Sequence, residues 1–270
     1  MAGGFPSTIG CCTSSEYLSH RRQTCQHTIL VPRSSRIAFC VVLETWQDVT
    51  SDEGDDVLES NPQPPSTPAQ RLETSAPTAT KAGFDFTAHM RSMIEDAVSR
   101  LPELHHIDLN RVAITFSQAR KRVTHGLFAT LTPMRFENGA RTGLRNGRRW
   151  RVQEIQGPDK QEMLYILSFY LPRFMDVDFQ EKLVTIFHEL WHISPEFNGD
   201  LRRHPGRCYA HTHSQREYDA RMAILASKWL RCQPPECRYQ FLKYRFQELQ
   251  SRYGRIYGLH VTHPKLIPVD

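Results

Sequence analysis

The chain has 270 residues, a formal net charge of +5 and a hydrophobic fraction of 39%. This composition is sufficient for a packed core in one or two domains. No apolar run approaches the roughly eighteen residues that a membrane-spanning helix needs. The sequence contains no C-x-x-C pair, so a zinc ribbon is not expected. We therefore expect a cytoplasmic protein that does not bind membranes.

The first part of the chain lacks the pattern of a folded domain. Residues 1–45 mix Ser, Cys and Arg around one short apolar run, and residues 48–81 are first acidic and then rich in Pro, Ser, Thr and Ala. Such a composition cannot bury enough apolar surface to order itself. We predict a disordered or poorly ordered extension and linker over residues 1–82 and one domain over residues 83–270.

Residues 83–270 mix helical and extended patterns. In chain order, these patterns predict a helix at 89–101, strands at 111–116, 127–136 and 150–155 with a turn-rich segment at 139–147, an apolar strand within 163–174, helices at 179–192, 217–230 and 239–253, and a short strand within 259–269. The order predicts an α+β fold in which a small mixed β-sheet packs on the helix at 179–192. The apolar strand fits either a sheet edge that pairs with an extended substrate or a buried central strand.

The helix at 179–192 contains the segment His188-Glu189-Leu190-Trp191-His192, an H-E-x-x-H motif. Asp178 is placed to cap the start of this helix, and Ser194-Pro195 ends it. Two histidines four residues apart lie on one helix face, where both imidazoles can bind one zinc ion. Glu189 is then placed to accept a proton from the zinc-bound water. The alternative is a structural core helix without a metal, in which the two histidines and the glutamate only form hydrogen bonds with one another.

A catalytic zinc usually has three protein ligands, so the motif predicts a third ligand elsewhere. Three histidines follow the motif, and we rank His211 first, His213 second and His204 third. Residues two apart in an extended segment face opposite sides, so at most one of His211 and His213 is expected to reach the metal. Each histidine is also compatible with a role beside the site or at the surface. Glu217 and Asp219 are weaker candidates.

The run from His188 to Arg203, with the nearby segments 207–211 and 214–215, resembles a family of phage and bacterial metallopeptidases. The resemblance extends from about Gly83 to the C-terminus, and SprT-like proteases are similar at a greater distance. It implies a zincin-like fold, with His188 and His192 as zinc ligands and Glu189 as the catalytic acid and base. It implies a peptide or protein substrate without naming one.

These observations predict a zinc-dependent metallopeptidase that hydrolyses peptide bonds with a zinc-activated water and Glu189 as general base. Tyr209, Arg202 or a histidine left over from the ligand set would stabilise the oxyanion. The alternative is a zinc-containing module without catalytic activity that binds nucleic acid or a phage structure. Two arginine-rich segments, 120–122 and 141–151, supply positive charge for nucleic acid, although such runs are more often solvated turns.

Overall fold

The computed structural model describes residues 70–71, 83–119, 126–203 and 215–269. The predicted N-terminal extension therefore lies outside the described residues, except for the backbone of residues 70–71. The described elements, in chain order, are β1 (Gln70–Arg71), β2 (Phe84–Asp85), α1 (Phe86–Arg100), β3 (Val112–Gln118), β4 (Ala129–Pro133), β5 (Thr142–Arg145), β6 (Arg148–Val152), β7 (Ile155–Gln156), β8 (Tyr165–Leu171), α2 (Arg173–Asp176), α3 (Phe179–Trp191), α4 (Gln215–Arg231), α5 (Phe246–Tyr253), β9 (Ile256–Tyr257) and β10 (Leu266–Pro268). Short sheets and separate helices make this an α+β fold, as the sequence predicted.

The central sheet has three strands in the order β3-β8-β4. Strand β8 pairs in parallel with β3 and antiparallel with β4, so it is the central strand. The strand within the apolar segment 163–174 is therefore a buried central strand, and its interpretation as a substrate-pairing edge is wrong. Strand β4 lies at the edge of this sheet instead.

Alternating side chains give the central sheet two different faces. Tyr165, Leu167 and Phe169 of β8 lie in the main hydrophobic core together with apolar residues of α1 and α3. Ser168, between them, lies on the opposite face, where its hydroxyl is 2.9 Å from the Thr115 hydroxyl. The apolar face explains why the helices pack on one side of the sheet.

A second sheet has the order β10-β6-β5. The segment 139–147, predicted as a turn, contains β5, and the β5–β6 hairpin turns at Asn146 and Gly147 with positive φ values of 51° and 74°. These values suit a two-residue hairpin turn of type I′. The sequence showed the turn chemistry but not the short strand before it.

The C-terminal helix predicted at 239–253 is wrong in its first half. Residues Gln240–Lys243 form a 3₁₀ turn, and the α-helix begins only at Phe246. The buried ammonium of Lys182 donates to the carbonyl oxygens of Leu242 (2.9 Å) and Tyr244 (2.7 Å). Those carbonyls face α3 rather than continuing a helical ladder, a tertiary contact that local sequence preference does not encode.

Helices of the described residues are all too short or too polar to cross a membrane.

Candidate metal centre

Helix α3 is built as the sequence predicted. The Asp178 side chain accepts a hydrogen bond from the Glu181 backbone N–H at 2.8 Å, which caps the first turn. Four apolar residues of the helix are buried at helical spacing: Leu183, Ile186, Phe187 and Leu190. This stripe fixes the rotation of the helix against the sheet. The motif residues in its last turns are therefore held on a defined face.

The two motif histidines lie together in the interior. His188 is 0% exposed and His192 is 2% exposed, and their ring centroids are 4.7 Å apart. Imidazoles four residues apart on a helix can converge on one ion. Histidines are seldom fully buried, so the burial of both rings distinguishes them from ordinary surface histidines.

Glu189 lies beside them and is 2% exposed. Burial raises the pKa of its carboxyl to about 8, although the backbone N–H of Leu131 donates a hydrogen bond to the carboxylate and opposes the shift. On either side of β4, the Phe128 carbonyl oxygen accepts from the Tyr170 N–H of β8, and the Met134 N–H donates to the carbonyl oxygen of Leu164, just before β8. Because an antiparallel strand alternates its bonding direction, the Leu131 N–H lies on the outer edge of β4. Glu189 therefore faces the edge of the central sheet.

Helix α4 contributes two side chains to the same place. The Tyr218 ring is stacked on His192 at 5.8 Å between centroids and meets His188 edge-on at 4.7 Å. The Asp219 Oδ1 atom lies 3.6 Å from His188 Nδ1. This distance is longer than a hydrogen bond, but it is short enough for electrostatic attraction between the carboxylate and a ring N–H.

Tyr218 was missed by the sequence analysis, although a signal for it was present. It lies four residues before Met222 and eleven before Trp229, both fully buried. This spacing puts all three on the face of α4 that packs against α3. Asp219, a weak candidate for the third ligand, lies near His188, and this position suits a metal ligand as well as a carboxylate that orients the imidazole.

The loop after α3 is fastened to the sheet and to the end of the helix. The buried Tyr165 hydroxyl donates to the Asp200 carbonyl oxygen (2.8 Å) and accepts from the Gly199 N–H (3.0 Å). Arg202 donates its Nε–H to the Trp191 carbonyl oxygen at 2.7 Å, and its guanidinium lies 4.1 Å from the Trp191 ring centroid. Arg202, considered above for the oxyanion, thus binds the end of α3. Tyr209 lies outside the described residues.

The candidates for the third ligand cannot be placed, since His204, His211 and His213 all lie outside the described residues. In the part of the chain that the structure describes, no group of three His, Cys, Asp or Glu side chains could hold a metal. Glu217, the other carboxylate considered, is exposed. Two buried imidazoles whose ring centroids are 4.7 Å apart fit the donor chemistry of zinc in part, since a catalytic zinc usually has a third protein ligand.

A family model described as "Putative phage metallopeptidase" matches residues 87–234. The match covers more than half of the 270-residue chain. The chain belongs to this family. The matched segment begins in α1 and ends just after α4, so it contains the whole of α3 and the Tyr218–Asp219 pair. It ends at residue 234, so the resemblance expected as far as the C-terminus is matched only up to that residue.

No curated protein and no solved structure matches the chain. The distant similarity to SprT-like proteases therefore has no support from these comparisons. The family description indicates a metal-dependent peptidase, which acts on peptides or proteins, and it does not favour the noncatalytic alternative.

Proposed function

We propose that this protein is a zinc-dependent peptidase of zincin-like architecture, whose metal is held by His188, His192 and one residue of the segment 204–214. His211 is our first choice for that residue, followed by His213 and His204. Glu189 serves as the general base, and Asp219 orients His188. The family description supports a metal-dependent peptidase, whereas these residue roles are our inference.

The observation that carries this proposal is the position of Glu189. A fully buried carboxylate beside two buried imidazoles is costly unless it has a task or a partner, and its partner here is a backbone N–H on the edge of β4. An extended peptide that adds to this edge would lie directly over Glu189 and the imidazoles. The catalytic groups would then face the main chain of the substrate.

When bound, zinc would supply a polarised water and a positive charge near the scissile carbonyl. The Glu189 carboxylate would accept the water proton and later return it to the nitrogen of the leaving amine. The Tyr218 ring packs on both imidazoles, which places its hydroxyl among the candidates to donate a hydrogen bond to the oxyanion. The Leu131 N–H keeps the carboxylate beside the sheet edge.

The test is peptide hydrolysis by the full chain after reconstitution with zinc, measured on a mixed peptide library by mass spectrometry. Glu189→Gln preserves the size of the side chain and removes its basicity, so we expect at least a 100-fold loss of hydrolysis while zinc stays bound. Glu236→Gln is the matched control, because Glu236 is exposed and lies in a 3₁₀ turn after α4. Hydrolysis by Glu189→Gln at the wild-type rate would remove Glu189 from the mechanism.

A further inference from the structure

The β5–β6 hairpin is a concentrated positive surface outside the candidate metal centre. Residues 141–151 contain five arginines and no acidic residue. Among the described residues, no carboxylate lies within ion-pair distance of Arg145, Arg148 or Arg151. Arg148 also lies over the Trp150 ring, at 5.9 Å from its centroid.

This surface also carries exposed apolar side chains. Leu144 of β5 is 77% exposed, the highest value for a large hydrophobic residue in the described part of the chain. Val269, whose N–H donates to the Arg149 carbonyl oxygen at 2.9 Å, is 44% exposed on the same sheet. Leu144 pairs across the hairpin with Arg149. A partner for this face must therefore offer negative charge together with a few apolar groups.

A segment of the same chain has the complementary composition. Residues 44–59 contain seven acidic residues and no basic one, and no Lys or Arg occurs between Arg36 and Arg71. The densest part of this acidic segment, residues 52–59, also includes Val57-Leu58. It therefore has the two properties that the hairpin surface requires of a partner.

The chain also enters the described structure near the hairpin. Strand β1 pairs in parallel with β7, with Gln70 opposite Ile155. Two parallel strands run in the same direction. The residues before Gln70 therefore lie on the same side as the residues before Ile155, which is where β6 ends. The eleven residues from Glu59 to Gln70 span up to ~36–40 Å when extended. The eight residues from Gly147 to Ile155 span at most ~27 Å, so the acidic segment can reach the hairpin turn.

We propose that the acidic segment 44–59 docks on the arginine hairpin 141–151 of its own chain. Each exposed charge pair alone contributes little, but covalent connection raises the local concentration of the segment to about the millimolar range. Several weak pairs then suffice to keep the segment bound at low salt. The docked segment covers the arginines and competes with any other anionic partner.

The test uses the full chain with a photo-crosslinking residue at position 54, Gly54→p-benzoylphenylalanine, inside the acidic segment. After irradiation at about 50 mM NaCl, we expect most intramolecular crosslinks to map to residues 141–151 by mass spectrometry. The crosslinks should fall at least five-fold at about 0.5 M NaCl, where the screening length is only a few ångströms. The same probe at Ser14, outside the acidic segment, is the position control.

Replacing Arg145, Arg148 and Arg151 with Gln should remove the crosslinks. The matched control replaces three exposed arginines elsewhere, Arg231, Arg252 and Arg255, with Gln, which changes net charge equally and should leave the crosslinks in place. Crosslinks that survive the hairpin substitution, or that map elsewhere, would overturn the proposal. So would binding of a 20-nucleotide single-stranded DNA to the same arginines of the wild-type chain without any crosslink from position 54, which would assign the hairpin to nucleic acid.

Discussion

Removing one hydroxyl group should destabilise the loop that follows α3. Tyr165→Phe keeps the buried ring and its packing against Phe197, whose centroid is 5.3 Å away. It removes the acceptor of the Gly199 N–H and one donor to the Asp200 carbonyl oxygen. That carbonyl keeps a hydrogen bond from the Ser194 N–H at 3.3 Å, so only the Gly199 N–H loses its partner.

An unsatisfied buried donor costs about 1–3 kcal/mol, so we expect the free energy of unfolding to fall by about 2 kcal/mol. For a domain of this size the melting temperature should fall by about 4–8 °C. Urea denaturation followed by circular dichroism measures the first value and thermal melting the second. Tyr170→Phe is the matched control, because its hydroxyl is 3.4 Å from the Thr130 hydroxyl in a weak contact, and it should cost under about 0.5 kcal/mol. Equal losses in the two variants would refute the reasoning.

Two further predictions concern α3 and the segment that follows it. Burial lowers the pKa of the Lys182 ammonium to about 8, well below the usual value for lysine, so the folded state loses this proton at lower pH than the unfolded state does. Wild type should therefore gain about 1 kcal/mol of stability relative to Lys182→Met between pH 8 and pH 9, and parallel stability profiles in urea titrations would show that this pKa is not lowered. Among the alanine variants of the three downstream histidines, the one that loses a zinc ligand should weaken zinc binding far more than the other two, with His211→Ala expected first. Small and similar losses in competition titrations of all three would exclude the segment 204–214 as the source of the ligand.

The sequence predicted the parts of the structure that depend on local pattern. Asp178 and the buried stripe of α3 follow directly from capping preference and helical spacing, and the motif histidines follow from their separation of four residues. Strand β8 was found from its apolar run, but its central position was not, because a short apolar run does not reveal how many neighbours a strand has. Which strands lie at the edges of the sheet is decided by pairing between strands that are far apart in the sequence, and local patterns do not show this pairing.

The neighbours of His188 and His192 were harder to predict because they come from distant segments. Tyr218 and Asp219 lie on α4, and only the packing of α4 on α3 brings them to His188. The interrupted helix before Phe246 has the same origin, since Lys182 draws the carbonyls of Leu242 and Tyr244 toward α3. The sequence around Lys182 did not indicate that its side chain is buried or which carbonyl groups it contacts.

Metal content tests the central claim most directly. Purified full chain, reconstituted with zinc and dialysed, should contain one zinc per molecule by elemental analysis. His188→Ala and His192→Ala should each lose it, while His105→Ala, at an exposed ring whose Nε2 lies 3.3 Å from the Ser99 carbonyl oxygen, should retain it. Full zinc in both motif variants would contradict the assignment of a metal centre to the end of α3.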